Sequence, residues 1–122
     1  MGKKTEKAFS NWRGGGLYLR FPNGNELSTT FASGSYSDNH SNSSYDSWHS
    51  LAKPVQSNTV EIMILTCPDK LRTRIHKKYS GDSDNSVIGY LGMKEWLEIV
   101  NLLAKSNVRN APKTLQRNIR NN

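Results

Sequence analysis

The 122-residue sequence predicts an α+β domain: an antiparallel sheet of four to five strands, one main C-terminal amphipathic helix and a short basic terminal helix. Three observations carry that expectation. Two runs of alternating apolar and polar residues flank Asn23-Gly24, as the arms of a β-hairpin do. "TVEIMILT" is a nearly continuous apolar run of strand length. "MKEWLEIVNLLAK" repeats its apolar residues at the helical period.

Residues 1 to 15 read as a flexible basic arm, charged, weakly patterned and running into the Gly14–Gly16 triplet; residues 16 to 122 read as a single domain. "LYLRF" sets Leu17, Leu19 and Phe21 against Tyr18 and Arg20, the pattern of a half-buried strand. "PNGN" follows, and an Asn-Gly pair suits a type I′ turn, where both central residues need positive φ. The return strand "ELSTTFAS" places Leu27, Thr29 and Phe31 on one face.

Residues 33 to 58 form a Ser/Asn-rich loop interrupted by Tyr36, Tyr45 and Trp48. Long loops in compact domains are either functional or disordered, and large aromatics in this one leave both readings open. The apolar run around Val60, Ile62, Met63, Ile64 and Leu65 is expected to be covered on both faces. After the "CPDK" turn, "LRTRIHKKY" alternates its charges, so a strand over 71 to 79 would send Arg72, Arg74, His76 and Lys78 to one side. "SVIGYLG" reads as a short strand.

In the following helix, Met93, Trp96, Leu97, Ile99, Val100, Leu103 and Ala104 share one arc at about 100° per residue, and Leu102 falls outside it. That leftover leucine points to a subunit contact, and a homo-oligomer is expected. The tail holds the short basic helix, with Asn110 as N-cap, Leu115 and Ile119 on one face, and Lys113, Arg117 and Arg120 on another. From Lys105 onward there are five positive charges and no acids.

The formal charge of +7, from 17 Lys plus Arg against 10 Asp plus Glu, favours anionic partners. A single cysteine, Cys67, excludes an intrachain disulfide and a cysteine-based zinc site, and suits a reducing compartment. With no apolar run near the roughly 20 residues of a membrane helix and no signal-peptide pattern, a cytoplasmic location without membrane association is expected.

Arg72, Arg74, His76 and Lys78, with Arg109, Lys113, Arg117 and Arg120 of the tail, are the candidate phosphate ligands, because guanidinium forks and ammonium groups match phosphate oxygens. The bland alternative is a solvated outer face that protects a sheet edge. Tyr36, Tyr45 and Trp48 are candidates for base stacking, worth roughly 1–3 kcal/mol per base, or else they pin the loop to the sheet. His40, His49, Asp38 and Asp46 fit no standard metal spacing, so no metal and no cofactor are expected. No nucleophile elbow, phosphate loop or paired-carboxylate motif is present, and a binding protein rather than an enzyme is expected. A nuclease using a histidine and an arginine is the catalytic alternative.

"DNSVIGYLGMKEWLEIVNLL" with "GSYSDN" resembles small phage-encoded proteins built as an antiparallel sheet closed by a C-terminal helix. The layout looks like that of the Thoeris anti-defence protein 1 family, and anti-CRISPR proteins are similar in size and general character. The first resemblance implies an oligomeric counter-defence protein of the host bacterial cytoplasm that sequesters a small phosphate-bearing nucleotide signal. The second implies an inhibitor or accessory protein that binds nucleic acid or a nucleoprotein complex through its basic surface. Neither resemblance assigns a binding residue.

Overall fold

A computed structural model describes residues 7–12, 15–42, 54–80 and 86–106. Five strands, β1 (Phe9–Trp12), β2 (Gly16–Arg20), β3 (Glu26–Thr30), β4 (Val60–Thr66) and β5 (Val87–Leu91), form one antiparallel sheet in sequential order. Helix α1 (Asp69–Ser80) joins β4 to β5, and α2 (Met93–Ala104) follows β5. The expected α+β class is thus present. The basic helix expected around residues 110 to 120 lies outside the described residues.

Period-2 alternation explains which face of the sheet is covered. The register pairs Leu19 with Leu27, Leu27 with Ile64, and Ile62 with both Thr29 and Ile88, so these side chains share one face. Helix α1 lays Ile75 on that face and α2 lays Ile99 and Leu103. Leu27, Ile62, Ile75, Ile88, Ile99 and Leu103 are fully buried, and each such side chain contributes roughly 1.5–3 kcal/mol of transfer free energy. Trp96 crosses the layer boundary, its indole Nε1–H donating to Thr29 Oγ1 at 2.9 Å. On the opposite face Met63 and Leu65 are 37% and 42% exposed, so β4 is covered on one side and not on both.

Residues 71 to 79 are helical, which corrects the strand reading. Leu71, Ile75 and Tyr79 are four apart, a spacing that keeps side chains together in a strand and in a helix alike. A strand would have put Lys77 beside them in the core. The helix frees Lys77, places Asp69 in its first turn and Lys77 and Lys78 in its last, and opens with Arg72 N–H donating to Pro68 O at 3.0 Å. Residues 9 to 12 of the expected arm form β1, pairing Phe9 with Leu19 and Asn11 with Leu17. Residues 1 to 6 lie outside the described part.

The hairpin turn also differs from expectation. Gly24 N–H donates to Phe21 O and Phe21 N–H to Asn25 O, both at 2.9 Å. Only Gly24 in the turn has positive φ, at 93°. Pro22, with its fixed φ, therefore directs a three-residue loop of the type I plus bulge kind in place of type I′. The turn carries a second function. Asn23 Nδ2 donates to Leu103 O at 2.8 Å and Asn25 Nδ2 to the same carbonyl at 2.8 Å, and both reach Ser106 Oγ. Helix α2 has no basic residue in its last turn, so this buried asparagine pair satisfies its terminal carbonyls. Leu102, expected outside the apolar arc, packs against the core, while Met93 and Leu97 are exposed.

Candidate functional site

Helix α1 divides its charges in a way the strand reading did not anticipate. At about 100° per residue, Lys70, Thr73, Arg74, Lys77 and Lys78 fall within one arc, and all five are exposed. Leu71, Arg72, Ile75, His76 and Tyr79 fill the other. His76 is 2% exposed, and Arg72 is partly buried with its Nε hydrogen-bonded to nothing among the described residues. The expected row of Arg72, Arg74, His76 and Lys78 is thus split: Arg74 and Lys78 face solvent, Arg72 and His76 face inward. Lys70 and Lys77 take their places on the exposed face.

That face has four cations and no acid. Lys70 and Arg74, and Arg74 and Lys78, are i,i+4 like-charge pairs, each destabilising an isolated helix by roughly 0.2–0.5 kcal/mol. Lys77 and Lys78 complement the negative end of the helix dipole. Lys70 stands in the first turn, where the dipole disfavours a cation. Helix stability alone therefore does not account for the row.

The last turn of α1 opens onto an aromatic groove at the β5 edge of the sheet. Tyr36, Tyr79, Ser80, Ser86, Gly89 and Tyr90 line it, in a volume of about 580 Å³. Tyr79 binds α1 to α2, its hydroxyl donating to Glu98 Oε1 at 2.7 Å, and Lys78 Nζ lies 5.2 Å from its ring centroid. Burial, reinforced by the Glu98 carboxylate, pushes the Tyr79 phenol up to about 12.

A bulge in β5 builds the rest. Ile62 faces Ile88 and Val60 faces Leu91, so three residues of β5 advance against two of β4. Tyr90 sits in that extra step at φ 55°, a left-handed conformation that costs a bulky L-residue of order 1 kcal/mol or more. Its N–H donates to Tyr36 O at 2.8 Å, while Tyr36 N–H donates to Glu61 Oε1 at 2.7 Å. Gly89 permits the approach: a Cβ there would lie 2.5 Å from Tyr36 Cβ. Both backbone groups of Tyr36 are fixed, yet the residue is 49% exposed, and Tyr90 is 57% exposed. The two ring centroids lie 6.5 Å apart, with the His40 ring stacked on Tyr36 at 5.3 Å. His40 Nδ1–H donates to Ser35 O at 3.0 Å, which sets the tautomer.

The Ser/Asn-rich loop supplies this rigidity through alternate burial. Ser35, Ser37 and Asn39 point inward, Tyr36, Asp38 and His40 outward. Asn39 Nδ2 clamps the two ends of the excursion, donating to Phe31 O at 2.7 Å and Gln56 O at 2.9 Å. Asp38 accepts from Thr59 Oγ1 at 2.8 Å. Of the stacking candidates, Tyr36 is at the site; Tyr45 and Trp48 lie outside the described residues, as do Arg109, Lys113, Arg117 and Arg120 of the tail and His49 and Asp46. Tyr79 and Tyr90 were missed by sequence reasoning. Gly89 inside a strand pattern was the available signal, since such a glycine marks a bulge or a close backbone approach.

Other chemistry is sparse. Among the described residues no group of three or more His, Cys, Asp or Glu side chains could hold a metal ion, and no helix is long and apolar enough to cross a membrane. Cys67 is half-buried; burial pushes its thiol up, against the opposing pull of the Arg72 guanidinium, so it is a weak nucleophile. Comparison with known proteins gave no matching family model, no similar curated protein and no similar solved structure.

Proposed function

We propose that the protein binds nucleic acid, free or within a nucleoprotein complex, through the exposed face of α1. The observation that carries this reading is the row Lys70, Arg74, Lys77 and Lys78 on one helical face with no acid among them. Lys70, Arg74 and the Lys77–Lys78 pair follow one another at about one helical turn, a row that suits a linear array of phosphates, and its affinity comes from counterion release. An inhibitor or accessory protein, the role implied by its second resemblance, would act through binding of this kind.

A small phosphate-bearing nucleotide, sequestered as in a counter-defence sponge, is the second reading. What favours it is the groove, whose volume of about 580 Å³ falls in the range of small-ligand sites. The exposure of Lys70, Arg74, Lys77 and Lys78 along one face of α1 favours the first. Fluorescence anisotropy with a labelled oligonucleotide and a labelled mononucleotide separates them. Under the first reading, Arg74→Ala with Lys77→Ala weakens oligonucleotide binding about 5- to 30-fold, the effect of losing roughly 1–2 kcal/mol. Unchanged affinity in that double variant would overturn it.

A further inference from the structure

We infer that the groove beside α1 takes an unpaired base, which makes the preferred ligand a single strand and not a duplex. This rests on the nucleic-acid reading of α1 and names the ligand class of the same surface. Four observations lead to it. Tyr36 and Tyr90 present half-exposed rings next to the last turn of a basic helix. Their centroids are 6.5 Å apart and their planes are tilted by 39°, so they are two neighbouring aromatic surfaces and not a parallel slot, and an unpaired base stacks on the exposed face of one of them. The Tyr36 backbone is anchored to Glu61 and Tyr90, and its ring is backed by His40, which holds the platform in place before any ligand arrives.

The fourth observation is backbone strain. Tyr90 keeps a left-handed φ of 55° that a glycine or asparagine would adopt more easily, and the residue is 57% exposed, so core packing does not explain its choice. An exposed aromatic held in a disfavoured conformation fits a surface whose partner supplies the missing contact. Bases in a duplex are already stacked and hidden; bases in a single strand are not. Stacking on aromatic planes accepts any base, and Lys78, whose Nζ lies 5.2 Å from the ring centroid of the groove residue Tyr79, is placed to meet a backbone phosphate next to the stacked base.

The test uses the full chain and two labelled probes, an oligothymidine of about 12 nucleotides and a duplex of the same length, within the site sizes of stacking proteins. The expected result is at least tenfold tighter binding of the single strand. Tyr90→Gly should remove about tenfold of that affinity, leave duplex binding unchanged, and keep or raise the melting temperature because the strain is relieved. Tyr90→Phe should retain single-strand binding. Single-strand affinity unchanged in Tyr90→Gly, with both probes weakened by Arg74→Ala and Lys77→Ala, would overturn this inference and leave the basic-face reading standing. No binding of either probe would overturn both. Saturable binding of a free mononucleotide, with no preference for the strand, would also overturn it in favour of a small-ligand pocket.

Discussion

Replacing Asn25 by Ala removes two hydrogen bonds that close the end of α2, one to Leu103 O at 2.8 Å and one to Ser106 Oγ at 2.6 Å. Each contributes about 1 kcal/mol net, and Leu103 O keeps its second donor, Asn23 Nδ2. Asn25→Ala should therefore destabilise by about 1–2 kcal/mol, or about 4–8 °C in a chain of this size. Asn23→Ala goes further, because Asn25 N–H also loses its acceptor Asn23 Oδ1 at 3.0 Å and becomes a buried orphan. With both replaced, Leu103 O has neither amide, and the double variant should lose at least about 0.5 kcal/mol more than the sum of the singles.

Asn25→Asp is the sharper perturbation. It keeps the shape, deletes the donors and sets a carboxylate against the negative end of a helix, adding roughly 1 kcal/mol to the loss seen with Ala. The introduced carboxyl then has a folded pKa above its unfolded value. Its neutral form is the one the folded state favours, so the extra deficit is absent well below the unfolded pKa and grows as pH rises through the folded one. Urea unfolding at pH 7 and at pH 4 measures both effects. If Asn25→Asp matches the wild type at pH 7, the amide does not donate to the helix end and the reasoning fails.

Two further outcomes follow from the groove and its neighbours. Gly89→Ala should destabilise by about 1–3 kcal/mol, since its Cβ meets the Tyr36 Cβ and carbonyl at 2.5 and 3.1 Å, and should speed hydrogen exchange at the Tyr90 amide; unchanged exchange would mean the loop is not latched there. Tyr18, whose hydroxyl donates to Glu26, and Tyr79 both have phenols raised to about 12 by burial and by their carboxylate partners. The stability these phenols confer is complete below pH 10 and is lost as pH climbs from 10 through 12. Absorbance at 295 nm should show a late-ionising fraction that shrinks in Tyr79→Phe.

Much of the fold was legible, because β3, β4 and α2 each follow a periodicity that burial enforces, whereas β2 buries Tyr18, read on the polar side, as well as Leu19. Leu27 and Thr29 alternate as read, and Ile99 and Leu103 lie on the arc that was read. The reading failed where one spacing served two periods. Leu71, Ile75 and Tyr79 fit strand and helix equally, and alternating charges tipped the choice the wrong way; a cation at position 77 inside the would-be core was the physical objection. Cationic character survived that error, but the members of the exposed row changed. The groove was legible only as fragments, Tyr36 in one segment and "IGYLG" in another. What joins them is a bulge and a backbone hydrogen bond across more than fifty residues, which no local pattern encodes. The capping role of Asn23 and Asn25 was hidden for the same reason: their sequence suits a turn, and their partners are some eighty residues away.

The central claim, that α1 is a phosphate-binding face, is tested most directly by the salt dependence of oligonucleotide affinity. Four contacts to a single strand give a slope of log K against log salt of about −2.8 from α1 alone, at about 0.7 per phosphate. Arg74→Ala with Lys77→Ala should make the measured slope shallower by about 1.4, while Arg72→Ala, on the inward face, should leave it unchanged. A slope that is the same in wild type and the Arg74 and Lys77 double variant, or one that moves with Arg72 instead, would contradict the account.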